Sequence, residues 1–125
     1  MKPFPWRPGM RTTRQDQPDI VAFVDTDGGI QRIWTYKYGW RPAADVEPDR
    51  NDAATLGALL GVVREVWDAP LAQVSPWLRW DQLRRVNVVD GWRVCLNDAT
   101  VRPCPPNERA ESEFAALLAA YQEAP

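Results

Sequence analysis

The segment Ile20-Val-Ala-Phe-Val-Asp25-Thr-Asp-Gly-Gly29-Ile-Gln-Arg-Ile-Trp34-Thr-Tyr-Lys-Tyr38-Gly-Trp40 decides the fold class of this 125-residue chain. Two runs rich in β-branched and aromatic residues flank the turn-forming residues 26–29. The two glycines supply the positive φ angles that a tight hairpin turn requires. The segment therefore predicts a β-hairpin over about residues 20–38.

The position of the turn sets which side chains of the hairpin lie opposite each other. A turn at Gly28-Gly29 predicts three opposed pairs: Asp25 with Arg32, Phe23 with Trp34, and Val21 with Tyr36. Moving the turn by one residue changes the pairs but keeps the two faces, because side chains alternate along a strand. One face then carries the aromatic residues together with an aliphatic one: Val21, Phe23, Trp34, Tyr36, Tyr38 and, in continuation, Trp40.

The aromatic row formed by Trp34, Tyr36, Tyr38 and Trp40 has two interpretations at this point. It is either part of the core or a surface that binds another molecule. Tyr and Trp suit interfaces because they bury a large area with few rotatable bonds and keep a polar group. We retain these four residues as the candidate partner-binding site.

Helical periodicity and capping residues predict three helices beyond the hairpin. Leucine and valine recur at helical spacing over about residues 52–68, where Gly57 and Gly61 indicate that another element approaches the backbone closely. Ser75-Pro76 is typical of a helix start and predicts a second helix over about residues 76–85. A third helix is expected over about residues 107–123.

A second hairpin is predicted over about residues 86–102, with its turn at Asp90-Gly91. Hairpins without regular crossovers favour an α+β fold, in which one antiparallel sheet packs against the helices. Residues 1–19 hold four prolines and predict an extended N-terminal arm. Residues 20–125 are then expected to form a single α+β domain.

The composition excludes several catalytic chemistries. The chain has no His, so it has no imidazole base, no histidine-dependent catalytic triad and no ordinary zinc site. Its two cysteines, Cys95 and Cys104, do not make a metal framework. We expect free thiols in the cytosol, with a disulfide bridge as the alternative in an oxidising compartment. We therefore expect a protein without enzymatic activity, cofactor or metal.

One short motif resembles a known catalytic loop. The strand that ends in Asp25-Thr-Asp27-Gly-Gly resembles the nucleophile loop of haloacid-dehalogenase-type phosphatases. The resemblance implies that Asp25 attacks phosphate and that Asp27 acts as acid and base beside a magnesium ion. That family continues into a helix within a parallel sheet, whereas residues 30–38 here predict a returning strand. An Asp-based phosphatase is the distant alternative.

Interleaved Trp and Arg residues suggest another alternative, a protein that binds single-stranded nucleic acid. Aromatic rings beside guanidinium groups are typical of such sites. The candidate residues are Arg79, Trp80, Arg84 and Arg85. The net charge of −2 and the absence of a dense basic run argue for a different partner.

The function we expect from the sequence is that of a small, soluble, tryptophan-rich protein-binding module. Inhibitor, immunity-type factor, adaptor or complex subunit are the roles considered, and an origin in a mobile element fits such a chain. The partner is another protein, with homodimerisation through the aromatic strand as a variant of this expectation. The N-terminus lacks the apolar stretch of a secretory signal, so a cytoplasmic location without membrane binding is expected.

Overall fold

The computed structural model describes residues 2–13, 19–96, 103–104 and 109–125. In these residues the chain forms eight β-strands and two α-helices, which confirms the predicted α+β class. The chain divides into two compact units, Met1–Leu59 and Leu60–Pro125. The division falls inside helix α1, Ala53–Val66.

The N-terminal unit is built on a five-stranded antiparallel sheet. Its strands are β1 (Arg11–Thr13), β2 (Asp19–Asp27), β3 (Ile30–Thr35), β4 (Gly39–Pro42) and β5 (Glu47–Pro48). They lie in the order β4-β3-β2-β1-β5. A short 3-10 helix, Ala43–Asp45, connects β4 to β5 along the chain.

The predicted hairpin of residues 20–38 is confirmed as β2 and β3. Gly28 and Gly29 form its turn, with φ angles of 60° and 82°. The pairs Asp25 with Arg32 and Phe23 with Trp34 form as predicted, but the pair Val21 with Tyr36 is wrong. A β-bulge between Val21 and Phe23 shifts the register, so that Val21 pairs with Thr35 instead.

The segment predicted as an extended arm contributes side chains to the interior of the N-terminal unit. Trp6 and Met10 are almost completely buried. The amide of Gly9 donates to the carbonyl of Val21 at 2.8 Å, and the amide of Val21 donates to the carbonyl of Met10 at 2.9 Å. These bonds extend the β1–β2 pairing back along the chain, so the segment supports β2, the central strand of the sheet.

Helix α1 matches the prediction for residues 52–68 closely. Asp52 caps it, because its Oδ2 accepts a hydrogen bond from the amide of Thr55 at 2.9 Å. The buried face includes Leu59, Val62 and Val63. The interpretation of the glycines is wrong. Gly57 and Gly61 are both exposed, and apart from their chain neighbours and the backbone of α1 itself, no described atom lies within 4 Å of a Cβ built on either.

The C-terminal unit contains the second sheet. Its strands are β6 (Gln73–Asp81), β7 (Val86–Cys95) and the two-residue β8 (Pro103–Cys104), in the order β6-β7-β8. Antiparallel pairing of β6 with β7 covers nearly the whole of both strands. The structure therefore has two antiparallel sheets, where the sequence predicted one.

The predicted helix over residues 76–85 is wrong, since residues 73–81 form strand β6. The Ser75-Pro76 signature is overridden by pairing with β7, which no local pattern reports. Pro76 is tolerated because β6 is an edge strand, where a missing amide donor need not break the ladder. A second register shift, between Pro76 and Leu78, places the single residue Trp77 of β6 opposite two residues of β7, Asp90 and Gly91.

The predicted hairpin over residues 86–102 is also wrong. Asp90 and Gly91 lie inside the continuous strand β7, which pairs back with β6, and residues 97–102 lie outside the described part. Gly91 has a φ of 138°, and its neighbour Trp92 exchanges two 2.9 Å backbone hydrogen bonds with Ala110. The glycine serves a close approach of two backbones rather than a turn.

The last helix, α2, runs over Glu113–Glu123. Ser112 caps it, since its Oγ accepts a hydrogen bond from the amide of Ala115 at 3.1 Å. The start predicted at residue 107 lies outside the described residues. Two α-helices are thus described where the sequence predicted three, and neither is long and apolar enough to cross a membrane.

We predict that Gly91→Ala destabilises the protein by about 1–3 kcal/mol, because a left-handed backbone and a crowded Cβ add strain. A Cβ at this position would lie 2.7 Å from the carbonyl oxygen of Ala110 and would also clash with the side chain of Arg109. Urea unfolding followed by circular dichroism measures the loss.

Gly57→Ala is the matched control, because the same change in an open helical position should stabilise the protein by about 0.5–1 kcal/mol. Equal stability of the Gly91→Ala variant and the wild type would contradict the described pairing of Ala110 with Trp92 beside Gly91.

Candidate functional site

The outer face of the N-terminal sheet carries the candidate site. Alternation along β3 places Ile33 and Thr35 on the inner face, where both are completely buried. The intervening side chains project to the other side. We define the outer face by the side chains that β2, β3 and β4 present there, together with Tyr36, which follows β3 and contacts Trp34: Phe23, Asp25, Asp27, Ile30, Arg32, Trp34, Tyr36 and Trp40.

Aromatic side chains from three neighbouring strands lie next to each other on this face. Phe23 pairs with Trp34, which in turn pairs with Trp40 on β4. The ring centroids of Phe23 and Trp34 lie 6.0 Å apart, and those of Trp34 and Tyr36 lie 5.4 Å apart, both edge to face. We call Phe23, Trp34, Tyr36 and Trp40 the aromatic cluster.

The aromatic side chains are largely open to solvent. The exposed fraction is 62% for Phe23, 66% for Tyr36 and 46% for Trp40, whereas Trp34 is half-buried. Tyr38, in the turn between β3 and β4, is 44% exposed, and its ring centroid lies 5.6 Å from Cζ of Arg41. The structure thus brings Trp34, Tyr36 and Trp40 together and places Tyr38 at the end of the same strands.

Arg32 organises the polar part of the outer face. Its Nε and Nη2 donate to the two carboxylate oxygens of Asp25 at 3.2 and 3.0 Å, and its Nη1 lies 3.7 Å from Asp27. Its guanidinium also stacks over Trp40, with Cζ 4.6 Å from the ring centroid. The hydrogen bonds with Asp25 raise the pKa of Arg32 above its ordinary value. A permanent positive charge is therefore held in one orientation beside the aromatic cluster.

A groove of about 570 Å³ lies in the same unit, next to the turn of the hairpin. Ile30, which belongs to the outer face and is 61% exposed, forms part of its wall. The remaining lining comes mostly from apolar residues before β1 and after β4, which include Phe4, Trp6, Ala43 and Val46. The groove has the size and apolar character of a pocket for a small molecule or a side chain.

The residues proposed for nucleic acid lie on the other unit. Arg79 and Trp80 belong to the exposed end of β6, and Arg84 and Arg85 follow in the loop to β7. The structure therefore brings all four together on one hairpin instead of on the predicted helix. Arg79 lies 3.6 Å from Asp90, and Arg84 lies 3.8 Å from Asp81.

Asp25 and Asp27 lie in a setting unlike the loop that they resemble. The chain returns as β3, antiparallel to β2, whereas the resemblance implies a helix within a parallel sheet. Both carboxylates lie within ion-pair distance of Arg32. In the described part of the chain, no group of three or more acidic or cysteine side chains is placed to hold a metal ion.

The four residues predicted from the sequence leave out five members of the site: Phe23, Asp25, Asp27, Ile30 and Arg32. The predicted pairing of Arg32 with Asp25 is confirmed. The stacking of Arg32 on Trp40 depends on the third strand, β4, which the sequence did not predict. In the register Arg32 pairs with Pro42 and Trp34 with Trp40, so Arg32 and Trp40 are diagonal neighbours, within reach of long side chains. The sequence signal for this third strand is the glycine turn between Trp34 and Trp40, which allows the chain to fold back and place the two rings side by side.

Comparisons of the chain with protein-family models, with curated proteins and with solved structures find no match.

We predict that tyrosine nitration distinguishes the site from the rest of the protein. The chain has three tyrosines; Tyr36 and Tyr38 are exposed, whereas Tyr121 on α2 is half-buried. Brief treatment with tetranitromethane followed by peptide mass spectrometry should modify Tyr36 first and Tyr121 last. Tyr121 is the internal control, and nitration of Tyr121 ahead of Tyr36 would contradict the described exposure of the outer face.

Proposed function

We propose that this protein is a non-catalytic module that binds another protein through the outer face of its N-terminal sheet. The observation that carries this proposal is the exposure of the aromatic cluster on the surface formed by β2, β3 and β4. Contiguous exposed aromatic residues are a feature of partner sites, since they bury large area at small entropic cost.

The arrangement of Arg32 supports a protein partner. Centres of protein interfaces are enriched in Trp, Tyr and Arg, and these residues contribute most of the binding energy. The ion pairs and the stacking on Trp40 hold Arg32 in place before a partner arrives, so little freedom remains to be lost on binding. On this face, Asp25 and Asp27 repel a phosphate backbone, which favours a protein over a nucleic acid.

The groove beside Ile30 supplies a further contact. It can receive an apolar side chain of the partner, while the aromatic cluster packs against the partner's surface. Such a combination suits an inhibitor, immunity-type factor, adaptor or complex subunit, whose role is to occupy a surface rather than to transform a substrate. Homodimerisation, in which the outer face binds a second copy of this chain, is a variant of this proposal.

Affinity capture from the native host tests the proposal. We expect the wild type to retain a specific protein. Tyr36→Ser or Trp40→Ser should lower the retained amount by about tenfold or more, because interface aromatics make the largest contributions to the binding free energy. Both side chains are well exposed, so these variants should remain folded.

Leu71→Ser is the matched control, since Leu71 is an exposed apolar residue of the C-terminal unit. The proposal is wrong if the captured protein is retained equally by the wild type and by both outer-face variants. Sedimentation of the purified chain decides the homodimer question: a dimer should become monomeric with Tyr36→Ser and stay dimeric with Leu71→Ser.

A further inference from the structure

The end of the β6–β7 hairpin, residues 78–89, exposes apolar side chains that serve no core. Leu83 in the connecting loop is 97% exposed. The other exposed members of this group lie on the two strands: Leu78, Trp80, Val86 and Val89. Leu78 pairs with Val89, whereas Val86 lies three residues earlier on β7 and faces the opposite side. The hairpin end therefore exposes apolar side chains on both faces and at its tip.

The same hairpin end is positively charged in a chain of net charge −2. Residues 78–89 contain Arg79, Arg84 and Arg85 against a single carboxylate, Asp81. The ion pairs of Arg79 with Asp90 and of Arg84 with Asp81 are long, at 3.6 and 3.8 Å, and both guanidinium side chains are more than half exposed. Exposed pairs of this kind leave the arginines able to exchange partners.

The loop at the tip satisfies much of its own backbone. Oδ1 of Asp81 accepts hydrogen bonds from the amides of Leu83 and Arg84, at 2.9 and 3.2 Å. The carbonyl of Asp81 accepts from the amide of Arg85 at 2.8 Å. Three consecutive amides are thus bonded within the loop, which lowers the cost of moving it out of water.

We propose that the hairpin end binds the surface of an anionic lipid membrane by shallow insertion. Leu83, Leu78 and the two valines enter the boundary between headgroups and acyl chains. Trp80 suits the interface itself, because its ring is apolar and its indole N–H is polar. The arginines extend their guanidinium groups to the lipid phosphates, as long basic side chains do at membrane surfaces.

Two other occupants fit the same residues less well. A single-stranded nucleic acid would use stacking aromatics, but four of the five exposed apolar side chains here are aliphatic. A second copy could add its strand to the edge of β6, but Pro76 lacks a donor and Arg79 places a charge on this edge strand. Proline and charge on an edge strand are typical of edges that avoid such pairing.

Co-sedimentation with lipid vesicles tests the proposal on the full chain. We expect binding to vesicles of phosphatidylcholine and phosphatidylglycerol in equal parts, and weak binding to phosphatidylcholine alone. High salt should weaken the binding, because it screens the attraction between arginine and phosphate. Failure to bind the mixed vesicles at low salt would overturn the proposal.

Matched variants separate insertion from charge. Leu83→Ser should weaken binding to mixed vesicles by about fivefold to tenfold, whereas Leu71→Ser, also exposed but outside the hairpin, should not. Arg84→Gln combined with Arg85→Asn should have a similar effect, and Asn accepts the φ of 55° at position 85. Arg50→Gln removes a charge from an exposed side chain of the other unit and should leave binding unchanged.

The other occupants give different results in the same set of variants. Binding to a single-stranded oligonucleotide that needs the arginines but not Leu83, without vesicle binding, would overturn the proposal in favour of nucleic acid. A dimer in sedimentation that Leu83→Ser converts to a monomer, again without vesicle binding, would overturn it in favour of self-association. The first result would not touch the outer-face proposal, whose variants lie in the N-terminal unit. The second would count against its homodimer form alone, because that form predicts a dimer that depends on Tyr36.

Discussion

One extra residue on β2 decides which side chains of the N-terminal unit face solvent. The bulge between Val21 and Phe23 lets Val21 and Asp19 lie on the buried side while Phe23 lies on the exposed side. In a regular strand all three odd-numbered residues would share one face. The bulge therefore allows one strand to support the interior near its start and to build the outer face near its end. Bulges at the edge of a functional surface commonly have this role.

The fold was predictable where local signals agreed with the final pairing. The Gly28-Gly29 turn and helix α1 combine a clear period with a clear boundary residue, and both formed. Ser75-Pro76 and Asp90-Gly91 are equally strong local signals, yet both lie within strands. The decisive interactions there are long-range: β6 pairs with β7, and Ala110 pairs with Trp92 beside Gly91. A single sequence contains no local record of such contacts, so propensity gave the wrong element.

The candidate site was predictable in its aromatic members, but not in its charged members or in its exposure. Alternation grouped Phe23 with Trp34 and Tyr36, because the side-chain period of a strand is two. Alternation does not show which face of the sheet is covered, since that depends on how the rest of the unit packs against it. In the structure the covered face is the one that carries Ile33 and Thr35. Alternation also placed Val21 with the aromatic residues, because a bulge changes the face without leaving a distinct residue pattern. The sequence thus narrows a site to one strand, and the three-stranded register completes it.

The two candidate surfaces differ in how firmly their side chains are held, and this difference bears on what each can bind. Ring contacts and cross-strand pairs fix the aromatic cluster, and two carboxylates orient Arg32. A surface fixed in this way loses little freedom on binding but must match its partner in shape, which suits a folded protein. At the hairpin end the backbone is bonded through Asp81, whereas Leu83 projects almost completely into solvent. Such side chains gain by leaving water but impose little shape, which suits a deformable lipid surface.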